Sequence, residues 1–128
     1  MDIKQNISGL DHVGLPTNDM GSTVAFYEKL GFSVLYETDN AGEQVVFLGR
    51  DGFVIEAYQN GQAALKAGAV DHIALCVKDI DAAHAACRAM SLPMAQEKIR
   101  FLPFWEKGVR FFILEGPNRE KVELIQKL

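Results

Sequence analysis

Hydrophobic and polar positions change period several times along this chain. Residues 10–16 alternate, as a half-buried strand does. Thr17-Asn18-Asp19 then offers helix-capping side chains, and Met20, Val24, Tyr27 and Leu30 recur at helical spacing before a natural stop at Gly31. From Phe32 to Thr38 the pattern is strand-like. Asp39-Asn40-Ala41-Gly42 predicts a turn, Val45 to Leu48 a strand, Asp51-Gly52 a second turn, and Phe53 to Gln59 another strand. The small, polar stretch from Asn60 to Ala69 predicts a linker. Beyond it the same order returns: strand 71–77, a helix from about Asp79 to Met90, then strands near 94–100, 108–114 and 120–126, with Pro117-Asn118 marking the last turn. The expected class is α+β. Two βαβββ modules, about 9–60 and 70–127, fill one unit spanning 1–128, each a curved mixed sheet with its helix on the outer face.

The halves repeat residues as well as elements. At an offset of 60, Asp11, His12, Leu15, Asp19 and Ala25 meet Asp71, His72, Leu75, Asp79 and Ala85. At an offset of 67, Gly49, Glu56 and Gln59 meet Gly116, Glu123 and Gln126. The difference of seven residues falls between the two blocks, where loop insertions cost little. Strand alternation sets His12, Glu56, His72 and Glu123 on the more polar or smaller faces, opposite Val13 and Leu15, Ile55 and Ala57, Ile73 and Leu75, and Val122 and Leu124. Two imidazoles and two carboxylates from equivalent strands suit a divalent-metal cage. Hydrogen-bonded strand histidines and exposed carboxylates without metal are the plainer alternative, and the duplication of the whole set weighs against it. His84, on the second helix, reads as a boundary residue behind the sheet and not as a ligand.

Composition narrows the field without choosing a chemistry. The chain has 128 residues, 48% hydrophobic and 23% charged, with a net charge of -4 and no basic cluster. Nucleic acid is therefore not expected as a partner. No apolar run approaches the length of a membrane span, and Met1-Asp2-Ile3-Lys4-Gln5-Asn6 lacks the apolar core of a signal peptide. Cys76 and Cys87 fit no metal or disulfide framework and are read as reduced thiols, in keeping with a cytoplasmic location. Cys76 shares the alternation of His72. Phe101-Leu102-Pro103-Phe104-Trp105 has no counterpart in the first half. Such a loop can wall a ligand pocket or seal the core or a subunit contact. Arg50, Arg100, Lys107 and Arg110 are candidate anion contacts, although most such residues are simply solvated.

The strand opening Asp11-His12-Val13, the helix end Phe26-Tyr27-Glu28-Lys29-Leu30-Gly31-Phe32 and the stretch from Gly116-Pro117-Asn118 to Glu123 resemble the vicinal oxygen chelate superfamily, from about Gly9 to Lys127. The His–Glu–His–Glu order is most similar to bacterial glyoxalase I. Ring-cleaving dioxygenases of this superfamily use two His and one Glu, and the methylmalonyl-CoA epimerase usually has Gln at the place of Glu56. The resemblance implies a lyase that converts the hemithioacetal of a 2-oxoaldehyde into a 2-hydroxyacyl thioester through an enediolate. It implies Glu123 as the base, Glu56 as its opposite number, and Asn60 as part of a substrate pocket. Phe101, Phe104 and Trp105 join Asn60 as candidate substrate-binding residues. Where glyoxalase I carries an arginine that helps hold glutathione, this chain has Pro16, which cannot pair an anion. The thiol is therefore unassigned.

Four protein ligands on an octahedral ion leave two positions for neighbouring substrate oxygens, and a mixed His/carboxylate set suits Ni, Co, Zn, Mn or Fe. The expected cofactor is one divalent ion per site and the expected partner a small-molecule substrate, such as a thiol adduct. Another metal-dependent isomerase or epimerase, or a non-catalytic resistance or sequestration protein, would use the same cleft. A linker of about ten residues allows the modules to pair within one chain or between chains. The resemblance implies the second, a homodimer with sites between subunits.

Overall fold

A computed structural model describes residues 2–68 and 70–128; Met1 and Ala69, the last residue of the expected linker, lie outside the described residues. A one-turn helix α1 (Ile3–Asn6) precedes two copies of one arrangement. The first comprises β1 (Val13–Thr17), α2 (Met20–Lys29), β2 (Ser33–Asn40), β3 (Glu43–Arg50) and β4 (Phe53–Gln59). The second comprises β5 (His72–Cys76), α3 (Ile80–Ala89), β6 (Met94–Leu102), β7 (Val109–Glu115) and β8 (Lys121–Lys127). Each copy folds as a four-stranded mixed sheet, in the orders β1-β4-β3-β2 and β5-β8-β7-β6. β1 runs parallel to β4 and β5 parallel to β8, and the remaining pairs are antiparallel. The expected βαβββ repeat is therefore the observed architecture.

Local chemistry repeats with the topology. Asp19 accepts from the Ser22 amide and Asp79 from the Ala82 amide, so each helix begins on an aspartate cap. The first amide of each helix is also taken by a glutamine from the last strand of its own module. Gln59 Oε1 accepts from Met20 N at 2.7 Å, and Gln126 Oε1 from Ile80 N at 2.9 Å. Those glutamines are the matched pair seen in the sequence, and here they tie helix to sheet. Ala41-Gly42 and Asp51-Gly52 all have positive φ. That is the two-residue hairpin geometry whose twist fits flanking strands.

Alternation decides which face is buried. Ile55 and Ala57 of β4, Val46 and Leu48 of β3, Phe112 and Leu114 of β7, and Val122 and Leu124 of β8 are all buried. The helices add Met20, Phe26 and Tyr27 from α2 and Ile80 and Cys87 from α3. These side chains form one continuous cluster drawing on both modules. Polar groups cross the same seam. The Tyr27 hydroxyl donates to Glu120 Oε2 at 2.9 Å, and Asn118 Nδ2 donates to Thr23 Oγ1 at 3.0 Å. Burial, reinforced by the Glu120 charge, raises the Tyr27 phenol well above its ordinary range, so this hydroxyl stays a donor. A bond of this kind to a charged acceptor contributes roughly 1.5–3 kcal/mol.

Two details differ from the sequence reading. α1 is short and carries no buried residue, so no apolar period announced it. β1 begins at Val13, which leaves Asp11 and His12 just outside the regular strand.

Candidate functional site

The parallel pairs set the geometry. Gly14 sits opposite Glu56 in register, and Ala74 opposite Glu123. Each histidine lies two residues before that small residue and so shares its face with the glutamate of the neighbouring strand. His12 Nε2 is 3.6 Å from Glu56 Oε1, and His72 Nε2 is 3.4 Å from Glu123 Oε2. The other ring nitrogen is held by the preceding aspartate in both cases. His12 Nδ1 is 2.6 Å from Asp11 Oδ2, and His72 Nδ1 is 2.9 Å from Asp71 Oδ2. The sequence showed Asp11 and Asp71 as a matched pair but suggested no role for them.

The two pairs have different surroundings. Phe47, the β3 neighbour of Glu56, meets the His12 ring edge to face at 5.7 Å, and Tyr36 leans on Phe47 at 6.1 Å. The β7 neighbour of Glu123 is Ile113. Lys121 Nζ reaches Asp71 Oδ1 at 3.2 Å. The hydrogen bond with Asp11 is the main reason the His12 imidazole is raised above its usual value; partial burial opposes it and the Glu56 charge adds to it. Asp71 is held below the ordinary carboxylate range, first by its bond with His72 and then by Lys121. Glu123 is the more shielded carboxylate, with a side chain 13% exposed against 29% for Glu56.

Each pair suits half of a metal cage. Two donors about 2.1 Å from one ion lie at most ~4.2 Å apart, so separations of 3.4 and 3.6 Å leave room for an ion between nitrogen and oxygen. The donor set, neutral imidazole with carboxylate, is that of a divalent first-row metal. Within one chain, however, the pairs stay separate. Among the described residues no group of three or more His, Cys, Asp or Glu side chains is placed to hold an ion.

The other sequence candidates scatter around these pairs. Asn60 Oδ1 accepts from the Gln62 amide at 2.9 Å, stabilising the turn after β4. Phe101, Phe104 and Trp105 are 57%, 54% and 73% exposed, so they do not seal the core of this chain. The Trp105 ring lies 4.2 Å from the Lys127 ammonium. Lys127 shares the Glu123 face of β8, four residues and roughly 13 Å farther along. The aromatic loop therefore borders the face that carries the second pair. His84 Nε2 donates to the Glu97 carbonyl oxygen at 2.5 Å and its ring stands on Phe112, which gives it a packing role. Arg110 makes two bonds to Asp81, and Arg50 donates to the Gly31 carbonyl, so both are engaged structurally. A mostly apolar cavity of about 300 Å³ lies under the linker and touches Val13, Ile55, Tyr27 and His72. No described helix is long and apolar enough to cross a membrane.

Comparison with known proteins agrees with the repeat. The glyoxalase/bleomycin resistance protein/dioxygenase superfamily matches residues 9–124. The chain is 34% identical over 125 residues to the uncharacterized protein YwbC of Bacillus subtilis (strain 168), covering 92% of this chain and 97% of that protein. Its fold is similar to the glyoxalase family protein from Enterococcus faecalis, with a TM-score of 0.77, 23% identity, and coverage of 94% of this chain and 98% of that one. It is also similar to the fosfomycin resistance protein FosX from Listeria monocytogenes complexed with Mn(II) and sulfate, with a TM-score of 0.74, 20% identity, and coverage of 95% and 94%. The chain belongs to the glyoxalase/bleomycin resistance protein/dioxygenase superfamily, also called the vicinal oxygen chelate superfamily.

Proposed function

We propose that this protein is a divalent-metal-dependent lyase of the glyoxalase I type, working as a homodimer. It takes the hemithioacetal of a 2-oxoaldehyde to a 2-hydroxyacyl thioester. The carrying observation is the pair of matched half-sites, each with a histidine Nε2 facing a glutamate oxygen at 3.4–3.6 Å. His12 and Glu56 of one subunit would join His72 and Glu123 of the other, forming two equivalent sites about a two-fold axis. The separation of the pairs within one chain supports this arrangement, as does the exposure of Tyr36, Phe101 and Trp105. The ion is Ni, Co, Zn, Mn or Fe, and the Mn(II) in FosX supports a metal of this class.

When bound, the ion supplies Lewis-acid polarisation of two neighbouring substrate oxygens. The residues of the chain do the rest. His12 and His72, oriented by Asp11 and Asp71, fix where those oxygens lie. Glu123, the more shielded carboxylate, removes the proton from the hemithioacetal carbon, and a proton returns to the adjacent carbon. Glu56 faces it from the opposite side of the site. The aromatic loop at Phe101, Phe104 and Trp105 walls the cup and limits water, and Asn60 stands at its rim.

A second reading has its own support. Pro16 offers no charge to a glutathione carboxylate, and FosX is a resistance protein. A different isomerase or epimerase substrate, or a resistance role, would suit both observations. Metal analysis of the purified protein, followed by assays of methylglyoxal with glutathione and with other low-molecular-weight thiols, separates the readings. Metal at one ion per subunit with turnover of any hemithioacetal supports the lyase. Bound metal with no turnover on every thiol would overturn it in favour of the second reading.

A further inference from the structure

The structure assigns Asp11 and Asp71 as positioning residues that fix the tautomer of His12 and His72, leaving each Nε2 free as a ligand; this rests on the metal reading above. Neighbouring residues on a regular strand point to opposite faces, so an aspartate just before a strand histidine would not reach its ring. Here the strands begin late. β1 starts at Val13, and β5 at His72 itself, so Asp11 and Asp71 precede the regular pleat and can turn back. Both do so, and both put Oδ2 on the same ring nitrogen, at 2.6 and 2.9 Å. A carboxylate accepts only, so in the neutral ring the proton sits on Nδ1 and the lone pair on Nε2. That nitrogen lies 3.6 Å from Glu56 Oε1 in His12 and 3.4 Å from Glu123 Oε2 in His72. The same two-residue device is present in both halves. His84 supplies the contrast: its Nε2 faces a carbonyl oxygen, so it carries the opposite tautomer.

Nitrogen-15 NMR of the metal-free protein tests the assignment, read at the alkaline plateau of a pH series where the imidazole signals no longer change. The expected result is Nδ1–H at His12 and His72 and Nε2–H at His84. Asp11→Ala and Asp71→Ala should each release only the adjacent histidine from that form. Calorimetric titration with Ni(II) should then show affinity falling roughly 10- to 100-fold in either variant. Asp11→Asn retains an accepting oxygen, so it should keep the tautomer and recover part of the affinity. Asp11 and Asp71 are exposed side chains, 93% and 55%, so the fold should survive their loss. Unchanged tautomers in the alanine variants, or Nε2–H at His12 and His72 in the parent, would overturn the assignment. Correct tautomers in a parent protein that binds no Ni(II) would support the ring positioning and defeat the metal reading, so the two failures are distinguishable.

Discussion

A glutamate beside a metal can serve as ligand, as proton carrier, or as both, and Glu56 and Glu123 differ in how much water reaches them. Their side chains are 29% and 13% exposed. The drier carboxylate is better placed to move a proton without losing it to solvent. Glu123→Gln therefore separates ligation from proton transfer, because an amide oxygen can still coordinate but cannot accept the proton. Turnover should fall by about 10²–10⁴ while much of the metal remains bound, as read by steady-state kinetics beside metal analysis. Full activity in Glu123→Gln would move the base elsewhere. At this scale the sequence showed the residues and the strand face each takes, but not what holds the imidazole rings. His12, Glu56, His72 and Glu123 were visible because each has a twin. The bonds from Asp11 and Asp71 were not, since alternation places neighbours on opposite faces, and only the late start of β1 and β5 brings them round.

Each helix is tied to its sheet at its start. The start of α3 is capped by Asp79 and Gln126, and Asp81 in its first turn receives two bonds from Arg110 of β7, at 2.8 and 3.1 Å. The Arg110 bonds hold the Asp81 carboxyl below its ordinary range. A carboxyl lowered by folding stabilises the folded chain at pH above its unfolded value of about 3.9, and that contribution is lost as pH falls through the folded value. Asp81→Asn should thus lower the melting temperature at neutral pH, and the gap from the parent should close as acid protonates the folded Asp81 carboxylate. A gap independent of pH in thermal melts would remove the ion pair as its cause. The elements themselves were legible, because strand alternation, aspartate caps and turn residues all point the same way at β1–β4 and β5–β8. α1 escaped because four residues with no buried side chain leave no period to read. The seam bonds Tyr27–Glu120 and Thr23–Asn118 escaped for a different reason. Each joins residues more than ninety positions apart, and local pattern carries no information about such pairs.

The molecule places its two His–Glu pairs on separate sheets, and on the proposed reading a symmetric partner completes both sites at once. Mixing His12→Ala protein with His72→Ala protein tests this directly. In a mixed dimer one site collects both defects and the other none. Random exchange at equal amounts should restore about a quarter of parental activity, where each variant alone has almost none. No recovery after proven exchange would place complete sites within single chains. The continuous core has its own consequence, for descent. A single βαβββ unit brings its own capped helix, its own hairpins and its own His–Glu pair. Yet Phe26 and Tyr27 of one copy and Phe112 and Leu114 of the other belong to one cluster, so either copy alone would leave part of its apolar surface uncovered. Residues 2–61 alone should sediment as a self-associated species or as unfolded chain, never as a folded monomer. A protein built this way implies a half-length ancestor that was obliged to pair with its twin. Joining two copies of the gene end to end would then have made an existing partnership permanent, and freed Phe47 and Ile113, or Val54 and Lys121, to diverge beside the same inherited His–Glu pair.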